Sequence, residues 1–211
     1  CSGLEHCADS AELLRSLVHN ASGDAMLIRL PEGANIDLGG YALELRGSVA
    51  LRIESSGFGA WLDAGQRSRV ASVRDGASLS IVNVHLAHGR VEDEPGGCIL
   101  VEDGGTLRME KSVLLGCEVV ASRPIDPGFP EIRGGVAAAD AHGGTIASLG
   151  SAVELIDTRI ERSLAVDGAA IFCLGGSLSL LRSTIRDSAA SREGGAIALV
   201  SASNATLRGV S

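Results

Sequence analysis

The chain has 211 residues and a formal charge of −8 at pH 7, with 45% hydrophobic residues of which few are aromatic, so its core must be filled by Leu, Ile, Val and Ala in thin, regular layers. Lys111 is the single lysine and no cluster of Lys and Arg occurs, which excludes a phosphate-binding surface and, with it, nucleic acid as a partner. No apolar run approaches the roughly 18 to 20 residues that cross a bilayer, and no membrane span is expected in this chain.

The first residue is Cys1, not Met, which suggests a processed chain or an internal stretch of a longer one, and either fits export. DSAELLRSLVHN at 9–20 predicts a short helix: Asp9 with Glu12 forms a capping-box pattern, and Leu13, Leu14, Leu17 and Val18 share one face. SGD then turns the chain into AMLIRLPEG and NIDLGG. Residues 1–24 therefore form an N-terminal segment with a capping helix, placed to cover the open end of the repeats in 25–211. Trp61, near Phe58, reads as a loop or packing residue and not as a binding platform.

Four segments then repeat in register: SLSIVNVHL at 78–86, TLRMEKSVL at 106–114, AVELIDTRI at 152–160 and SLSLLRSTI at 177–185. Each places three apolar residues alike: Leu79, Ile81, Leu86; Leu107, Met109, Leu114; Val153, Leu155, Ile160; Leu178, Leu180, Ile185. A fifth copy begins at Ala205-Thr206-Leu207 and is left as an open, incomplete C-terminal rung. The long gap between the second and third copies is assigned to a loop insertion at 122–133, SRPIDPGFPEIR, because proline lacks the ladder donor.

Glycine-led apolar segments stand between the repeats: GGCILV at 96, GGVAAA at 134, GGTIAS at 143, DGAAIF at 167 and GGAIAL at 194. Glycine reaches positive φ without a Cβ penalty, so these pairs mark a tight corner leading into a short buried strand. Strands this short bury little alone, and stacking solves the problem, since each rung covers the apolar face of the next and satisfies its backbone. The predicted fold is all-β, a parallel β-helix with a short N-terminal capping helix. Abundant glycine and the period-two pattern disfavour helical repeats, and the leucine spacing does not fit a leucine-rich repeat.

The five cysteines show no metal-ligand spacing, no cofactor-binding pattern is present, and the odd count implies at least one unpaired thiol. Cys1 and Cys7 flank the start of the helix, and Cys98 and Cys117 fall near one corner of neighbouring rungs; these four are the candidates for disulfides, while Cys173 lies inside an apolar run as a buried thiol. Two sequons, at Asn20 and Asn204, permit N-glycosylation in a eukaryotic secretory pathway.

The order of a capping helix, a strand ending in LPEG, then IDLGG, then strands with GGAI corners resembles the pectin-lyase-like right-handed parallel β-helix superfamily. Its glycine corners are similar to the repeats of chlamydial polymorphic outer-membrane proteins and related passenger domains, with Gly194, Gly195, Ala196 and Ile197 reproducing GGAI in full. The companion FxxN motif is absent: its places hold Leu86 with Gly89, Leu114 with Cys117, Ile160 with Ser163 and Ile185 with Ser188. The resemblance implies an exported, noncatalytic scaffold or adhesive module, extracellular or at a cell surface. Its expected partners are a protein or glycan at that surface, with further repeats or another subunit at the C-terminal end.

A carbohydrate-active β-helix enzyme, a polysaccharide lyase or hydrolase, is the competing expectation. Glycoside hydrolysis by the usual route needs two facing carboxylates, and the acidic residues are dispersed along the sequence. His88-Gly89-Arg90 resembles the HG element of polygalacturonases but stands without neighbouring aspartates in sequence, and reads as a solvated corner. Asp157, Arg159, Glu161 and Arg162 alternate in sign along one strand, the pattern of a solvated outer face with modest ion pairs. No catalytic residue is assigned.

Overall fold

A computed structural model describes residues 6–21, 25–122, 142–201 and 203–211. The chain winds as a parallel β-solenoid of about 6 turns, all-β apart from a single short helix near the N-terminus. Each complete turn passes through up to four short strands, illustrated by Ile99–Glu102, Thr106–Glu110, Val113–Leu115 and Glu118–Val120. Successive turns add strands to four parallel sheets, the smallest of which begins only at Arg90–Glu92.

The long sheet has eight strands, running in space from His6–Cys7 through Ala25–Leu30, Ala50–Ser55, Ser78–Val82, Thr106–Glu110, Ala152–Ile156 and Ser177–Leu181 to Asn204–Arg208. Its register places the predicted repeat residues in two straight inner columns. One runs Met26, Leu51, Leu79, Leu107, Val153, Leu178, Ala205, and the other Ile28, Ile53, Ile81, Met109, Leu155, Leu180, Leu207. A third column, Ile36, Leu62, Leu86, Leu114, Ile160, Ile185, belongs to the sheet that follows the long one in each turn, here the third sheet. From Ile28 to Leu180 the second column is essentially inaccessible to solvent, so the core is one continuous seam of aliphatic layers. Nine residues separate Ile53 from Leu62 where five separate Ile81 from Leu86, which is why the first two turns escape the sequence repeat.

The glycine-led corner precedes the second sheet, whose strands include Ile99–Glu102, Ile146–Leu149, Ile171–Leu174 and Ile197–Val200. Gly96, Gly143, Gly168 and Gly194 all have φ between +55° and +76°. A Cβ on any of them would come within 2.4–2.7 Å of the carbonyl oxygen three residues on, that of Ile99, Ile146, Ile171 or Ile197. The leading glycine of each corner is thus required by a left-handed turn folded back on its own backbone, whereas its successor varies, being Ala169 in one turn and, as Gly195 in another, facing open space. GGVAAA at 134 and all but the first residue of the 122–133 insertion lie outside the described residues.

A different corner leads out of the long sheet and carries side chains. Asn83, Lys111, Asp157 and Arg182 each adopt φ near +50°, one above another, and Gly209 takes the same place in the last turn. Asn and Asp tolerate this conformation well, whereas Lys and Arg carry a cost of about 1 kcal/mol. No shared residue type marks this corner in the sequence, so the expectation that glycine makes the corners does not extend to it.

The helix spans Ala11–Asn20, and Leu14 and Val18 join the core seam while Leu13 faces solvent. Its N-cap is Ser10, whose hydroxyl accepts the Leu13 amide, so the cap sits one residue later than the Asp9 pattern suggests. The N-terminal segment also supplies the strand His6–Cys7, which pairs with Ala25–Leu30 and so belongs to the long sheet itself. Arg15 ties the helix down by donating to the Leu38 carbonyl at 2.8 Å and lying 5.0 Å over the Tyr41 ring.

Candidate functional site

The outward row of the third sheet gathers residues that are far apart in sequence. Asn35, Trp61 and His85 stand side by side on neighbouring strands, and two residues on Asp37 and Asp63 pair in the same way. Burial lowers the pKa of His85, and its ring is used on both sides: Nδ1 accepts the Val113 amide at 3.1 Å, and the other edge meets the Phe58 backbone. It also supports Trp61, with ring centroids 4.8 Å apart.

Phe58 lies at the tip of the turn between Ala50–Ser55 and Ala60–Asp63 and is 91% exposed. The turn beneath it is braced from both neighbouring rungs. Glu32 Oε1 accepts the Phe58 amide at 3.1 Å, Asn83 donates to the carbonyls of Ser55 and Gly57 at 3.2 Å, and Gly59 is pressed against Asn83 and His85. A cleft of about 250 Å³ adjoins the turn, lined by Arg29, Pro31, Glu32, Glu54, Ser55 and Ser56 among others. Glu54 is held ionised by hydrogen bonds from Arg52 and Arg29, which lower its pKa. Trp61, expected to be a loop or packing residue, stands on the strand Ala60–Asp63 with its ring against His85.

The HG element falls at the next corner. His88 Nδ1 lies 3.0 Å from Asp63, so the fold provides the aspartate that the sequence does not place beside it. Asp63 and Asp37 form adjacent Asx turns, accepting the amides of Gly65 at 2.8 Å and Gly39 at 2.7 Å. The Gly39 amide, then Arg67 at 2.7 Å, lower the pKa of Asp37, which suits an anion fixed in a turn and not a proton donor. Arg90, the third residue of the element, pairs with Glu118 at 3.0 Å.

The alternating charges on Arg159–Glu161 and its flanks become ion pairs, one within the strand and two to the next turn. Asp157 pairs with Arg182 at 2.7 Å, and Glu161 takes both Arg159 at 2.8 Å and Arg186 at 2.7 Å. Further along, buried Asp167 is held by Arg192 at 3.0 Å and lies 3.1 Å from His142, whose ring stacks on Phe172 at 4.4 Å. Among the described residues no group of three His, Cys, Asp or Glu side chains is placed to hold a metal ion.

Cys98 and Cys117 are joined by a disulfide with Cα atoms 5.5 Å apart. They stand at the two ends of a single turn and close its mouth. The equivalent places in the next turn are Thr145 and Ser163, whose hydroxyls share a hydrogen bond at 2.5 Å. Cys7 is disulfide-bonded, and Cys1 lies outside the described residues. Cys173 is a buried free thiol in the column Val101, Ser148, Cys173, Leu199. Asn20 is exposed at the helix end, and Asn204 is exposed at the start of the last strand, where Leu207 is half exposed as well.

Protonation of His85 should loosen this region. Its folded pKa lies below the ordinary 6.5, so the unfolded chain binds the extra proton first, and the stability it contributes is present above 6.5 and falls as pH drops through that value. Melting curves at pH 7.5 and 5.5 are expected to show a drop larger by about 1–3 °C in the parent than in His85→Gln. An identical drop in both would contradict this role.

The architecture defines the class of protein, a parallel β-solenoid whose outer faces are braced by ion pairs and whose turns carry the distinctive side chains. Comparison with models of protein families, with curated proteins and with solved structures found no match.

Proposed function

We propose that this chain is a noncatalytic extracellular or cell-surface scaffold and adhesive module, of the pectin-lyase-like kind with glycine corners like those of polymorphic outer-membrane repeats. The observation that carries the reading is the Cys98–Cys117 bond together with disulfide-bonded Cys7, since structural disulfides persist in oxidising compartments. The continuous aliphatic seam supports a rigid body, and the ion-paired outer rows leave recognition to exposed turn residues. Its partner is a protein or glycan at that surface.

Among the described residues, Asp37, Asp63 and His88 give the enzymatic reading its best support, because the fold puts two carboxylates and an imidazole on adjoining turns. Both carboxylates are committed to Asx turns, which fits positioning of backbone better than acid–base chemistry. Beads coated with the purified protein are expected to be retained on cell or matrix surfaces, with no release of reducing ends or unsaturated products from a panel of polysaccharides. Product release that disappears in Asp63→Asn would replace the scaffold by an enzyme.

A further inference from the structure

The geometry points to an extended, basic peptide segment as the ligand of the step where the smallest sheet begins, bound there as an added strand. This rests on the scaffold reading and commits it to one kind of protein partner at one place. Three of the sheets begin in the first turns, at His6–Cys7, Asn35–Asp37 and Leu43–Arg46, whereas the smallest begins part-way along the solenoid at Arg90–Glu92. The cause is a shortcut in the turn before it. Ser68 accepts the Arg90 amide at 3.0 Å just as Gly89 accepts the Glu118 amide at 2.9 Å, so Ser68 is level with Gly89, and the sheet register sets Val70 level with Cys98. Val70 follows Ser68 by two positions, whereas Cys98 follows Gly89 by nine, and the longer connection overhangs the shorter one as a ledge.

The edge of that ledge carries unpaired backbone. Gly89 and Asp93 bond toward Glu118–Val120, the first accepting the Glu118 amide and the second donating to the Val120 carbonyl, each at 2.9 Å. Alternation along the strand therefore turns the main-chain groups of Arg90 and Glu92 to the other side. There the Arg90 amide is taken by Ser68, while the Glu92 amide and the carbonyls of Arg90 and Glu92 bond to no described residue. A row of free donors and acceptors is a template for strand addition. A cleft of about 280 Å³ lies against it, lined by Gln66, Arg67 and Ser68 of the shortcut and by Arg90, Glu92 and Glu94 of the ledge, among others.

Charge selects among strands. Arg67 is spent on Asp37 at 2.7 Å and Arg90 on Glu118 at 3.0 Å, and buried Arg69 holds Glu94, tying the ledge to the shortcut. Of the charged residues lining the cleft, Glu92 alone makes no ion pair among the described residues. The charge left over is negative on a chain of net charge −8, so a segment carrying Lys or Arg fits and an acidic one is repelled. The shortness of the edge and its two charged side chains also keep it from pairing with arbitrary strands.

The test is amide NMR of the 211-residue protein titrated with the end-capped peptide Lys-Val-Lys-Val-Lys, with its Glu-Val-Glu-Val-Glu counterpart, and with the lysine peptide methylated at its backbone nitrogens. The lysine peptide is expected to shift the amides of Ser68, Val91 and Glu92, most of all Glu92, with the acidic and methylated peptides at least about tenfold weaker. Glu92→Pro removes the free donor without touching a ladder bond and should weaken binding at least about tenfold. Glu92→Gln keeps that donor and should bring the affinities for the two charged peptides closer together, with a melting temperature within about 2 °C of the parent. The methylated peptide makes the donor test on the parent chain itself, independent of how Glu92→Pro folds. No shift at Glu92, equal binding of the methylated peptide, or full binding by a folded Glu92→Pro would overturn strand addition. Tighter binding of the acidic peptide would make the cleft an anion site, and shifts at these amides on concentrating the protein alone would make its occupant a second copy; either result replaces the proposal. Those outcomes leave bead adhesion standing, whereas polysaccharide cleavage would remove the scaffold reading itself.

Discussion

Leu180→Asp is expected to destabilise the protein by more than about 4 kcal/mol and to lower its melting temperature strongly, whereas Leu207→Asp, one turn further along the same column, should cost less than about 1 kcal/mol. Leu180 is 1% exposed, stacked between Leu155 and Leu207, so an aspartate there would be buried without a partner. Leu207 is 51% exposed, and its replacement would remain hydrated. Because each turn touches only its neighbours, the damage should appear first as melting of the C-terminal turns, visible as a loss of cooperativity before the N-terminal turns unfold. Equal melting curves for Leu180→Asp and the parent would show that the column does not point inward.

The repeat columns could be read from sequence because burial alone decides them. A residue such as Leu79 or Leu155 must be apolar whatever its neighbours do, and parallel stacking forces the same choice at the same place in the next turn. The corner at Gly96, Gly143, Gly168 and Gly194 was visible for the same kind of reason, since a backbone contact excludes every side chain. The corner at Asn83, Lys111, Asp157 and Arg182 was not, because several residue types enter the left-handed region at modest cost and share no chemical signature. The fourth sheet, with strands such as Glu118–Val120 and Leu164–Asp167, was equally hidden: its strands are short and its inward column, Val91, Val119, Ala165 and Ala190, holds only Val and Ala.

The candidate site was harder to see, and the cause is geometric. Asp63 and His88 are 25 residues apart in sequence and meet only because one full turn separates them. Glu32, Phe58 and Asn83 converge on one turn from three successive rungs. In a solenoid, neighbours in space lie about one repeat apart, so functional clusters are spread at the repeat period and never appear as a local motif. The irregular turn from Ser55 to Gly59 marks the place in retrospect, since it interrupts the spacing that every later turn keeps.

Removing the Cys98–Cys117 bond is expected to cost about 3 kcal/mol, the scale for a crosslink closing a loop of this size, with its 19-residue separation. The bond spans the mouth of one turn and packs closely under Gly89 of the preceding turn, where a Cβ would lie 2.2 Å from the Gly97 carbonyl oxygen and 2.7 Å from both Cα and Sγ of Cys98. The following turn closes the same gap by hydrogen bonding Thr145 to Ser163. Substituting that pair into the disulfide position, Cys98→Thr with Cys117→Ser, should therefore restore about 0.5–1.5 kcal/mol relative to Cys98→Ala with Cys117→Ala. Denaturant melts of the two double variants, beside the parent with and without reductant, give the comparison. Reduction that leaves the parent's midpoint unmoved would show that the turn is closed without the crosslink, and equal stability of the two double variants would show that the hydroxyl clasp does not transfer from one turn to the next.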